Sequence, residues 1–112
     1  MLFEQAQSEL ELIIRHIEIL TEVANSGPVG ILKLSELTGM QPHKVRYSLR
    51  ILEQNNLIEP TRQGAILGDN VSKFIESSDL EYEKLAELIQ YIKKSEKKMI
   101  EAFKQNSDES EF

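Results

Sequence analysis

The chain has 112 residues, 13 Lys and Arg against 19 Asp and Glu, a net charge of −6 and no cysteine. That length suits one domain with a single modest core, and the absence of cysteine excludes a disulfide framework or a thiolate metal site. No apolar run approaches a membrane span, and Met1-Leu2-Phe3-Glu4-Gln5 lacks the basic and apolar regions of a signal peptide, so the expected setting is cytoplasmic with no membrane partner.

Residues 2–24 are expected to form a long helix. Phe3, Ala6, Leu10, Ile13, Ile17, Leu20 and Ala24 recur at alternating steps of three and four, a heptad seam widened by Ile14 and Val23. Asn25-Ser26-Gly27-Pro28 ends it, with Gly27 expected in the left-handed conformation and Pro28 forbidding continuation. A short helix follows at 31–38, carrying Ile31, Leu34 and Leu37 on one side and closed by Gly39. Pro42 opens the next helix, since Pro at the first position has its φ preset and loses no needed N–H. That helix is expected over 42–54, with Val45, Leu49 and Leu52 as its buried stripe and Asn55-Asn56 at its end.

Leu57-Ile58-Glu59-Pro60 and Ala65-Ile66-Leu67 read as two short strands joined through Thr61-Arg62-Gln63-Gly64, with Pro60 confining the first to an edge. A connecting helix is expected near 70–76 from Val71, Phe74 and Ile75. Ser78-Asp79-Leu80-Glu81 then has the form of a capping box, opening a separate last helix at 78–104. There Tyr82, Leu85, Ile89, Ile92, Glu96, Met99 and Phe103 repeat the three-four spacing, broken only by Glu96. Residues 105–112 are polar and are expected to form a disordered tail.

The expected fold is therefore mainly α. It is a single winged helix-turn-helix domain over 1–112, with long N- and C-terminal helices and a short β-hairpin wing. Within it, 1–25 is a dimerisation helix, 27–68 the helix-turn-helix and wing, and 78–104 a coiled-coil-like helix. In such an arrangement the second helix of the motif enters the major groove of duplex DNA. In helix 42–54, His43, Arg46, Tyr47, Arg50 and Gln54 fall opposite the apolar stripe. Arg46 and Arg50 suit guanine edges or phosphates, and Gln54 suits adenine. Lys44 lies near the helix start, where an anion is favoured, and Arg62 at the hairpin tip has the place of a wing contact. Net acidity opposes phosphate binding, but it is unevenly spread. Residues 2–24 carry Glu4, Glu9, Glu11, Glu18 and Glu22 against Arg15, whereas 40–64 carry Lys44, Arg46, Arg50 and Arg62 against Glu53 and Glu59.

Gly27-Pro28-Val29-Gly30, Leu34-Ser35-Glu36-Leu37-Thr38-Gly39, His43-Lys44-Val45-Arg46-Tyr47-Ser48-Leu49-Arg50 and Leu57-Ile58-Glu59-Pro60-Thr61 carry a resemblance. Over residues 27–68 the chain resembles archaeal winged helix-turn-helix proteins described as predicted transcriptional regulators. More loosely, it is similar to MarR- and ArsR-type repressors. The resemblance implies transcription regulation by DNA binding and dimerisation through terminal helices. The chain departs from the metal-sensing ArsR type in having no Cys pair.

The expected function is thus a nucleoid-associated, homodimeric DNA-binding regulator with no cofactor, no metal and an unidentified effector, if any. Leu10, Ile13, Ile17, Leu20, Leu85, Ile89, Ile92, Met99 and Phe103 are the expected dimerisation residues. Two alternatives use the same fold: a protein–protein interaction module in a larger assembly, and an architectural DNA-binding protein. Enzymatic activity is not expected. The two histidines, His16 and His43, lack a nearby acidic motif, and there is no phosphate-cradling Gly loop or nucleophile elbow. His16, beside the first seam, reads as a packing residue. The lysines of 93–98 are interleaved with acids and read as a solvated helix face.

Overall fold

The computed structural model describes the backbone of residues 1–110 and the side chains of residues 1–107. In these residues the chain is mainly helical, with one small antiparallel hairpin. The order is α1 (Glu4–Ser26), α2 (Ile31–Thr38), α3 (Pro42–Gln54), β1 (Ile58–Thr61), β2 (Gly64–Leu67) and α4 (Val71–Ser110). No helix among them is long and apolar enough to cross a membrane.

The turn between α2 and α3 is built by small residues. Gly39 caps α2 at φ 75°, a conformation that costs glycine nothing. Ser35 Oγ donates to the Met40 carbonyl at 2.5 Å, and Thr38 Oγ1 donates to the Leu34 carbonyl at 2.7 Å while accepting from the Met40 N–H at 3.2 Å. The end of α1 works differently from the expectation. Gly27 is extended, with φ −64° and ψ 147°. Glycine is needed there for space, because a Cβ would lie 2.6 Å from the Val23 carbonyl oxygen and 3.0 Å from that of Ala65.

Residues 1–74 form one compact unit. Ile19, Leu34 and Val45 are fully buried at its centre, joined by Leu20, Val23, Val29, Leu52, Leu57, Ile58 and Ala65. The face of α1 turned to this core is Ile19, Leu20 and Val23, so Leu20, expected in a dimerisation seam, is a core residue, while Phe3, Leu10 and Ile13 of that seam are exposed. The expected stripe of α3 is corrected. In α3 the fully buried position between Val45 and Leu52 is Ser48, and Leu49 is a half-buried flank.

β1 and β2 pair with Ile58 opposite Leu67 and Thr61 opposite Gly64, leaving Arg62 and Gln63 as the loop. Val29 bridges to the other side of β2, exchanging bonds of 3.1 and 2.8 Å with Ala65. β1, which carries Pro60, is thus an edge strand, where a missing N–H is tolerated. The start of α4 is tied to the end of α3: Asn70 Nδ2 donates to the Asn55 carbonyl at 3.0 Å, and Val71 and Phe74 pack on the core.

The second unit begins at Ile75 and is helical to Ser110. The two helices expected at 70–76 and 78–104 are one, so the described residues form four helices rather than five. Ser78 does not cap; its hydroxyl donates to the Ile75 carbonyl at 3.2 Å, inside the helix. The physical reason is that Ser-Ser-Asp lowers helix propensity by only a few tenths of a kcal/mol per residue, whereas a break would require a second costly nucleation. The expected tail at 105–112 is likewise corrected, since the helix includes 105–110; residues 111–112 lie outside the described residues. Between 75 and 107 every side chain is exposed except half-buried Ser78.

Candidate functional site

Of all surfaces on the first unit, the outer face of α3 concentrates the most chemistry. Packing of Val45, Ser48 and Leu52 inward turns His43, Lys44, Arg46, Tyr47, Arg50 and Gln54 outward, and all six are exposed. His43, Lys44, Arg46, Tyr47 and Arg50 line one open depression of about 510 Å³, and the sixth lining residue is Arg15 of α1. Four permanent cations therefore meet around one tyrosine with no carboxylate in the lining, in a chain whose net charge is −6. Among the described residues none of these four is held in an ion pair.

Arg46 and Arg50 also border a second groove, about 410 Å³, between α3 and the hairpin, with Leu49, Glu53, Pro60 and Thr61 among its walls. These two arginines thus stand on a ridge between two concavities. Gln54 and Arg62 line neither. Gln54 is exposed at the end of α3, and Arg62 is exposed in the hairpin loop.

Behind the depression, α1 and α3 are joined by a polar contact. His16 Nδ1 and Ser48 Oγ share a hydrogen bond of 2.8 Å, which gives the fully buried Ser48 hydroxyl its partner. The His16 ring lies 6.0 Å from that of Tyr47 at a tilt of 41°. Burial holds His16 below the ordinary histidine pKa, and the neighbouring Arg15 charge adds to the effect. Arg15 places its guanidinium carbon 6.0 Å from the Tyr47 ring centre, at the outer range of a cation–π contact. Arg15, His16 and Ser48 escaped the sequence reading of the site. The one available signal was that Arg15 is the lone cation among the acids of α1.

The expected dimerisation residues divide. Leu20 is buried in the chain's own core at 8% exposure, whereas Leu10, Ile13, Leu85, Ile89, Ile92, Met99 and Phe103 are all exposed; Ile17 is half-buried. Among the described residues no group of three or more His, Asp or Glu side chains is placed to hold a metal ion. No known protein-family profile matches the chain, and no curated protein matches it.

Proposed function

We propose that the protein is a winged helix-turn-helix DNA-binding regulator, reading the major groove with α3 and acting as a homodimer in the cytoplasm. In this reading α2, the Gly39 turn and α3 form the helix-turn-helix, and β1–β2 is the wing. The observation that carries it is the cationic depression. An acidic chain that gathers Arg15, Lys44, Arg46 and Arg50 around an exposed tyrosine, without a carboxylate, has built a surface for a polyanion. Arg46 and Arg50, one turn apart, suit guanine O6/N7 edges or phosphates. Arg62, in the loop of the wing, would contact the DNA backbone or minor groove.

A second copy is the proposed partner of α4. Its residues 76–87 hold five acids (Glu76, Asp79, Glu81, Glu83, Glu87) to one base (Lys84), and residues 93–104 hold five bases (Lys93, Lys94, Lys97, Lys98, Lys104) to two acids (Glu96, Glu101). An antiparallel pair of α4 helices centred between residues 85 and 89 sets the acidic residues 76–81 of each copy against the basic residues 93–98 of the other. It also allows Glu96, the one polar position of the seam, to face Ser78 of the other copy while Leu85 meets Ile89 of that copy.

The test is selection of bound duplexes from random DNA, followed by mobility shifts of wild type and variants. Arg46→Ala and Arg50→Ala are each expected to weaken binding to the selected site by about 1–3 kcal/mol. Undiminished affinity in the double variant would overturn α3 as the reader. Equal affinity for random and selected duplex would instead favour architectural binding.

A further inference from the structure

We infer that Arg15 is a DNA-backbone contact, a phosphate clamp supplied by α1 alongside the reading helix; this rests on the DNA reading above. Arg15 lies on a helix that is otherwise acidic, with Glu11 four residues before it and Glu18 three after. Both are at helix-neighbour spacing and suited to ion pairing, yet Arg15 pairs with neither. Instead it sits over Tyr47 and enters the depression beside Lys44 and His43.

That placement matters because half-buried Arg15 lines the same depression as Lys44, Arg46 and Arg50, with no carboxylate among the lining residues. A phosphodiester between Arg15 and Lys44 would supply the missing anion, and a planar guanidinium is shaped to bind phosphate through two parallel N–H bonds. Phosphate is the target rather than a base for a geometric reason. A helix about 10–12 Å across fills a major groove about 12 Å wide. A cation on the neighbouring helix therefore meets the phosphate wall.

Tyr47 becomes a positioning residue in this account: it holds the guanidinium toward the depression and away from the acids of α1. Its ring is itself braced by His16 and, through that residue, by buried Ser48.

The experiment is a salt titration of duplex binding, on random and selected sequences, for wild type, Arg15→Gln and Arg15→Lys, with circular dichroism confirming equal folding. Loss of one phosphate contact lowers the slope of log affinity against log salt by about 0.9. Between about 50 and 200 mM salt, Arg15→Gln is expected to lose roughly 3.5-fold less affinity than wild type. The change should be the same on both sequences, and Arg15→Lys should retain the wild-type slope. In a Tyr47→Leu background, Arg15→Gln should change the slope less. An unchanged slope in Arg15→Gln, or a loss confined to the selected sequence, overturns the clamp and leaves the DNA reading standing. Failure of wild type to bind any duplex overturns both.

Discussion

The C-terminal half of α1 and the middle of α4 carry the same apolar spacing and meet opposite fates. Leu20 and Val23, three residues apart, are 8% and 2% exposed, whereas Ile89 and Ile92, also three apart, are 46% and 50% exposed. In α1 the stripe is covered by α2, α3 and β2 of the same chain. Along α4 from Ile75 to Ser107, only Ser78 is even half-buried. Three-four periodicity states that a helix owns an apolar face. It does not state which surface covers that face.

The largest expected effect lies on the covered side. Leu34 is fully buried among Ile19, Val45 and their neighbours, and Leu34→Ala should cost about 2–5 kcal/mol, a large share of a small domain's stability. Urea unfolding followed by circular dichroism measures it; a loss below about 1 kcal/mol would break the contrast between the two helices. On the uncovered side, Ile89→Lys combined with Ile92→Lys should leave the first unit's unfolding unchanged and halve the sedimenting mass. Wild type that sediments as a monomer at micromolar concentration would remove the second copy from the account.

A smaller effect is expected at the joint between α1 and α3. Ser48→Ala removes the partner of His16 Nδ1 and should destabilise by about 1 kcal/mol, because water can reach half-buried His16 and replace part of the bond. The smallest is its pH dependence. The folded state holds the His16 pKa below 6.5, so near neutral pH both folded and unfolded chains carry it uncharged. As pH falls through about 6.5 the unfolded chain takes up the proton first, and stability declines until the lower folded value is passed. His16→Gln should flatten that decline below about pH 6.5; an identical melting-temperature profile would show that His16 carries no such penalty.

Much of the architecture was legible because its punctuation is local. Gly39 permits φ 75°, Pro42 presets the start of α3, and Pro60 marks β1 as an edge. The break expected at Ser78 failed for the converse reason: a capping-box pattern permits a start without compelling one, and no Gly or Pro enforces it. The site was legible within α3, where Arg46, Tyr47 and Arg50 share a face by spacing alone. Arg15 was not, because its neighbourhood is made by packing two helices whose contacting residues are about thirty positions apart.

From its own residues, then, the chain determines where helices and strands stand, which faces of α3 are apolar and cationic, and that the two longest helices own apolar stripes. Those properties depend on backbone restriction and on spacing within a turn or two. Tertiary structure alone decided that Ser48 rather than Leu49 fills the centre of α3's buried stripe, that Leu20 belongs to the core while Leu10 and Ile13 do not, and that Arg15 joins the cations of α3. Each depends on how the helices are rotated and stacked against one another. That is set by the summed burial of side chains distant in sequence, which no single segment encodes.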